Sequence, residues 1–144
     1  MKNDENDNYD FNIISKIIYE ETRGYNIEFR ERLLNFAVEI IRFLLTIPKM
    51  PEYTVIRYQL SKAGTSIGAN YEESQSSSYK EFGQRTRISL REANETKFWL
   101  KVIDKLNIGE KEKLKQLMKE AEELSRILGS IVSKVDAKLK SKDS

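Results

Sequence analysis

The sequence predicts an all-α protein, an antiparallel up-and-down four-helix bundle. Two observations carry this prediction. Apolar residues recur at steps of three and four over four long stretches of the 144-residue chain, and short segments containing proline, serine or glycine separate these stretches. No stretch has the pattern of a strand, and connections this short make consecutive helices antiparallel neighbours.

The first two helices are expected on either side of a proline-containing turn. Apolar spacing predicts the first helix over residues 28–47 and the second over about 53–74. Residues 48–51 begin and end with proline, which lacks an amide hydrogen and biases the preceding residue away from helical geometry. Gly64 and Gly68 lie inside the second helix, where each costs about 1 kcal/mol relative to alanine. They indicate a close helix crossing; a local kink without a partner is the alternative.

Two further helices complete the bundle. The third is predicted over residues 79–106, because Ser78 and Glu81 stand at the spacing of a capping box and Asn107 tolerates a left-handed cap. The fourth is predicted over about 110–139, where apolar residues keep an alternating three-four spacing.

Residues 1–27 form an N-terminal extension ahead of a bundle domain that spans residues 28–140. The polar tip of the extension is expected to be disordered. Phe11, Ile14 and Ile18 stand at helical spacing. Two interpretations stay open for this stretch: a short helix that docks on the main body, or a partly ordered tail.

The composition restricts the chemistry that the chain can perform. It has 25 Lys and Arg against 23 Asp and Glu, a formal net charge of +2, and neither cysteine nor histidine. This excludes disulfides, thiolate or imidazole metal sites, cysteine nucleophiles and the Ser-His-Asp triad. We therefore predict no enzymatic activity, no cofactor and no metal. The acidic, Asn-rich start and the short apolar runs predict a cytoplasmic protein without a membrane span.

The third helix carries a second apolar stripe beside its core face, formed by Ile88, Trp99 and Leu106. A helix in an isolated bundle needs one buried stripe. The second one therefore predicts an oligomer interface, most simply with another copy of the chain; a Trp99 that caps the bundle edge is the alternative.

A basic sector lies on another side of the same helix. Its members are Lys80, Arg87, Arg91, Lys97, Lys101 and Lys105. Such a row of cations predicts contact with the phosphate backbone of RNA or DNA. A solvated helix face without a ligand is the alternative.

Polar residues of the second and third helices form a further candidate group. Its members are Ser66, Asn70, Glu73 and Glu95. Glu72 and Glu92 lie beside them, but the Glu-x-x-His pairs of a di-iron bundle cannot be built without histidine. We interpret the group as structural: Asn70 lies on the buried face of its helix, and the polar groups hydrogen-bond to one another between packed helices. An all-oxygen Mg²⁺ or Ca²⁺ site on the carboxylates is the alternative.

These residues also carry a family resemblance. Residues 63–74, 79–82, 92–96 and 99–100 read AGTSIGANYEES, YKEF, EANET and WL. In order and spacing they resemble the bacterial four-helix bundle proteins encoded in intervening sequences of 23S ribosomal RNA genes. The resemblance covers roughly residues 28–135, and the family has no assigned enzymatic activity.

The resemblance implies a ring-like homo-oligomer, a homopentamer. A related branch, the accessory proteins of diversity-generating retroelements, forms basic pentamers that associate with a reverse transcriptase and bind nucleic acid. Two functions therefore stay open. One is direct binding of RNA or DNA, and the other is a protein-interaction scaffold or accessory subunit, for example of a polymerase.

Overall fold

The structure, a computed structural model, describes residues 26–76 and 78–143, with side chains up to residue 140. Within these residues four helices pack against one another and there is no strand, so the predicted all-α bundle is confirmed. The helices are α1 (26–44), α2 (Thr54–Ser74), α3 (Tyr79–Leu106) and α4 (Lys111–Asp143), and a short 3-10 turn at Pro51–Tyr53 precedes α2. Residues 1–25, most of the predicted extension, lie outside the described part.

Local capping residues explain where α3 begins and ends. Its bounds are those predicted: the Ser78 hydroxyl accepts a hydrogen bond from the Glu81 amide at 3.4 Å, and Asn107 adopts a left-handed conformation with φ 56°. Helix α1 ends at residue 44 instead of 47, because the Thr46 amide bonds to the Phe43 carbonyl in a tighter turn. Helix α4 begins after Glu110, whose carboxylate accepts from two amides of its first turn.

The core is a continuous apolar cluster to which all four helices contribute. Its fully buried members include Ile40, Phe43, Leu60, Ile67, Ala93, Leu100, Leu124 and Leu128. On α1, Ala37 and Leu44 are half-buried, whereas Phe43 is completely buried. On α3, Phe82 is half-buried and Thr86 lies in the interior.

The predicted close crossing at the α2 glycines is confirmed, and α1 is the helix that crosses. A Cβ atom built on Gly64 would lie 2.9 Å from Cγ1 of Ile40, and one on Gly68 would lie 3.3 Å from Cβ of Leu33. Hydrogen in place of a side chain lets the two helices approach this closely. The cost of two glycines in a helix is thus offset by α1–α2 packing.

A buried hydrogen-bond chain ties the first described turn of α1 to the end of α2. The Tyr71 hydroxyl donates to Oδ1 of Asn26, and Nδ2 of Asn26 donates to Oε1 of Gln75 at 2.8 Å. Burial raises the pKa of Tyr71 to about 12. These contacts fix the place at which the chain enters α1.

The Tyr71→Phe variant should change the stability of the protein in alkaline solution. The phenol of Tyr71 ionises near pH 10 in the unfolded chain and near pH 12 in the folded one. The stabilisation that comes from the protonated phenol is therefore fully present below pH 10. It is lost as the pH rises through 12, which lowers the free energy of unfolding by about 3 kcal/mol. Urea unfolding measures the free energy of unfolding at pH 9 and at pH 11.5. The decrease between the two pH values should be smaller for the variant than for the wild type. Equal losses would contradict this assignment.

Candidate nucleic-acid interface

Two ion pairs join α3 to α4 along one seam. Arg87 of α3 bonds to Asp136 of α4, and Nζ of Lys97 lies 2.9 Å from a carboxylate oxygen of Glu122. Lys97 also lies 3.4 Å from the Ser125 hydroxyl. Two of the six cations predicted from the third helix are therefore held by carboxylates of the fourth.

Glu122 lies in a cluster of cations. The hydrogen bond from Lys97 lowers the pKa of Glu122, and the positive charges of Lys97, Arg126 and Lys101 act in the same direction. Lys97 and Lys101 belong to α3 and Arg126 belongs to α4. Cations of both helices therefore lie around one carboxylate. Arg126 was not among the predicted binding residues, and the signal for it was the basic composition of the fourth helix.

The other predicted cations of α3 project into solvent. Lys80, Arg91, Lys101 and Lys105 are all exposed, whereas Lys97 is half-buried. These four exposed cations and the exposed Arg126 of α4, which acts on Glu122 together with Lys101, are called the basic face below. The structure thus places five of the six predicted side chains at the surface, Arg87 among them, and turns Lys97 toward α4.

Positive charge is concentrated on one half of the bundle. Helix α3 has seven basic and four acidic residues, and α4 has nine and six. Helix α1 has three of each sign and α2 two of each. The net charge of the chain is nearly neutral, but its helices differ: α1 and α2 are neutral, whereas α3 and α4 are basic.

The residues of the predicted polar group do not contact one another as a single cluster; each makes its own local contacts. Nδ2 of Asn70 donates to the Ser66 carbonyl at 2.8 Å, and the Ser66 hydroxyl donates to the Lys62 carbonyl, so both bonds stay within α2. Asn70 is half-buried, which corrects its expected place in the interior; Tyr71 lies there instead. The helix rotates Asn70 toward the flank that faces α3, because Gly64 and Gly68 must face α1.

The carboxylates of the same region have separate surroundings. Glu73 pairs with Arg85 at 2.8 Å, and a Glu95 oxygen accepts from the Trp99 indole at 3.4 Å. The hydrogen bond from Arg30 lowers the pKa of Glu72. Burial, followed by the charge of the neighbouring Glu95, raises the pKa of Glu92. Over residues 26–76 and 78–140, no group of three or more acidic side chains is arranged to hold a metal ion.

The predicted oligomer stripe lies along the boundary between α2 and α3. Ile88 and Trp99 are half-buried, with Trp99 packed against the core, and Leu106 is 46% exposed. Val55 lies on the α2 side of this boundary, since it is about five helical turns from Glu73, which reaches α3. Val55 is 53% exposed. These four residues are called the α2–α3 patch.

A larger apolar surface lies on α1 and was missed by the sequence reasoning. The exposed residues Ile27, Leu34, Val38 and Ile41 of α1, and Leu45 directly after its end, follow one another at steps of seven, four, three and four, which is the spacing of one helix face. We call this surface the α1 outer stripe. Its periodicity was visible in the sequence, but the core face of the same helix carried the stronger signal. None of the described helices has a stretch apolar and long enough to span a bilayer.

Comparison with known proteins agrees with this architecture. A family model described as 23S rRNA-intervening sequence protein matches residues 25–130. A solved structure from Bacteroides thetaiotaomicron VPI-5482, described as a protein of unknown function from the S23 ribosomal protein family, is 30% identical with a TM-score of 0.66. That match covers 72% of this chain and 97% of the other. No curated protein matches the chain. The chain therefore belongs to the 23S rRNA-intervening sequence protein family.

Proposed function

We propose that this protein is a non-enzymatic homo-oligomer that binds RNA or DNA through the basic face of α3 and α4. The observation that carries the proposal is the division of charge between the two halves of the bundle. A nucleic-acid backbone is recognised by cations arranged along a line, and such cations release condensed counterions on binding. Specific base contacts are not needed for this mode of binding.

The geometry of α3 suits an extended polyanion. From Lys80 to Lys105 the helix rises about 38 Å, and the α3 cations of the basic face lie on one side of it. Arg87 and Lys97 already have carboxylate partners on α4. The exposed Lys80, Arg91, Lys101 and Lys105 should therefore make most of the phosphate contacts, with Phe98, 56% exposed, available to stack a base.

Assembly would strengthen this binding. We place the subunit interface at the α2–α3 patch, because its exposed apolar residues lie away from the α3 flank that faces α4. A homo-oligomer repeats the basic face, so that one nucleic acid contacts several subunits and the effective concentration of each further contact rises. The family resemblance implies that the assembly is a pentamer.

Fluorescence polarisation with a labelled single-stranded RNA and a labelled duplex DNA tests the proposal. For four phosphate contacts, the logarithm of affinity should fall with the logarithm of salt concentration with a slope of about −3 for RNA and −4 for DNA. The Arg91→Glu/Lys105→Glu variant should bind roughly 100-fold more weakly at low salt. Both residues are exposed, so the fold should persist and circular dichroism checks it.

The matched control is Lys49→Glu/Lys62→Glu, which changes the net charge equally at exposed positions outside α3 and α4. It should retain nearly all of the wild-type affinity. Equal losses in both variants would mean that net charge alone attracts the nucleic acid. No binding of either probe at low salt would overturn the proposal in favour of a protein-interaction scaffold.

A further inference from the structure

Three cations of the α3–α4 seam surround the carboxylate of Glu122. One of its oxygens lies 2.9 Å from Nζ of Lys97 on α3, and the other lies 3.6 Å from Nε of Arg126 on α4. Lys101 acts on the carboxylate as a third positive charge. We call these three cations the seam site.

The register of the two helices creates the seam site. Lys97 and Lys101 are one turn apart on α3, and Glu122 and Arg126 are one turn apart on α4. Like charges one turn apart on a helix repel each other, and here the two lysines also face an arginine. An anion at this point therefore stabilises the bundle, and Glu122 supplies it.

Lys97 has a second contact that holds it in the seam. Its ammonium group lies 3.4 Å from Oγ of Ser125, a buried residue of α4. The Ser125 hydroxyl donates to the Glu122 carbonyl, so its oxygen is able to accept from Lys97. A cation would therefore stay in place at the seam site if the Glu122 carboxylate moved away.

The acidic neighbours of Glu122 on α4 are bound elsewhere. Glu120 and Glu123 both bind Arg32 of α1, the latter at 2.9 Å. They lie two residues before and one residue after Glu122, and their contacts hold them on the side of the helix that faces α1. If the Glu122 carboxylate leaves the seam site, an external anion can take its place.

We propose that the seam site is a phosphate-binding site, which Glu122 occupies until a phosphate group of a nucleic acid displaces its carboxylate. Carboxylate and phosphate oxygens accept the same charge-assisted hydrogen bonds from lysine and arginine. The site adjoins the basic face, because Lys101 and Arg126 belong to both. Displacement by a nucleic acid rests on the proposed function, whereas the phosphate site by itself does not.

The carboxylate of Glu122 makes the site selective for a polymer. Because Glu122 is tethered, its effective concentration at the site is high, and a free phosphate ion competes poorly with it. A phosphate group of a nucleic acid that already contacts Lys101 and Lys105 is tethered in the same way. It can therefore displace a carboxylate that a single small anion cannot.

Thermal unfolding at pH 7, with inorganic phosphate in place of chloride at equal ionic strength, tests the phosphate site alone. Glu122→Ala should gain roughly 3–5 °C in melting temperature at about 20 mM phosphate, because a bound anion stabilises the folded state. The control Glu31→Ala removes the same charge from an exposed position on α1. This control and the wild type should gain less than about 1 °C. Equal gains in all three proteins would overturn the phosphate site.

A second substitution connects the gain with the cations. In Glu122→Ala/Arg126→Ala one of the three charges of the seam site is missing, so most of the gain in phosphate should disappear. The Arg126 side chain is 74% exposed, so this variant should fold. A gain as large as that of Glu122→Ala would contradict binding at the seam site.

Fluorescence polarisation with the labelled RNA and DNA tests the displacement. Glu122→Ala should bind roughly tenfold more tightly than the wild type at low salt, with a salt slope steeper by about 0.7 for RNA and 0.9 for DNA, since one further phosphate is bound. Glu31→Ala should gain at most about twofold. If the wild type binds and both variants gain equally, the displacement is wrong and the proposed function stands. If no protein binds either probe, the proposed function and the displacement both fail, and the phosphate measurement alone decides the seam site.

Discussion

Replacing Gly64 by valine is expected to lower the free energy of unfolding by about 3 kcal/mol, at the upper end of the usual cost of overpacking a core. A Cβ at this position would lie 2.9 Å from Cγ1 and 3.3 Å from Cβ of Ile40. Ile40 is completely buried, so its side chain cannot move aside into solvent. Helices α1 and α2 would have to separate, and urea unfolding measures the cost.

Gly129→Val is the matched control for this prediction. It lies within α4, and a Cβ there would meet nothing within 4 Å. The same substitution should therefore change stability by no more than about 0.5 kcal/mol. Valine is a better helix former than glycine, so helix propensity predicts no loss in either variant. Equal losses in both would contradict the assignment to the α1–α2 crossing.

Val55→Glu/Leu106→Glu is expected to convert the homo-oligomer proposed above to a monomer of 16.9 kDa at micromolar concentration. Both residues are about half exposed, so the monomer should fold. At a subunit interface, however, each carboxylate would be buried without a partner, which costs several kcal/mol per charge. Size exclusion coupled to light scattering reports the mass directly.

Ile41→Glu/Leu45→Glu is the control for assembly, because it adds the same charges to the α1 outer stripe. It should leave the oligomer intact. Dissociation of this variant, with Val55→Glu/Leu106→Glu still assembled, would move the subunit interface to α1. A monomeric wild type would remove the homo-oligomer from the proposed function.

Much of the candidate site could be predicted from the helical spacing of its residues. The six predicted cations of α3 repeat at intervals that put them on one side of a helix, and Ser78 and Asn107 determine where that helix begins and ends. The partners of those cations could not be found in this way. Asp136 is 49 residues from Arg87, and Glu122 is 25 from Lys97, so only the register of α3 against α4 brings them together.

The sequence by itself determined the four helices, the turns between them and the close approach at Gly64 and Gly68, because periodicity, caps and missing side chains act over a few residues. The tertiary structure alone decided which helix meets those glycines, that Asn70 is displaced from the core by Tyr71, and that α1 keeps an apolar face exposed. Those outcomes depend on how each helix is rotated against its neighbours. That rotation follows from how all four helices pack around one core, which no single stretch of sequence specifies.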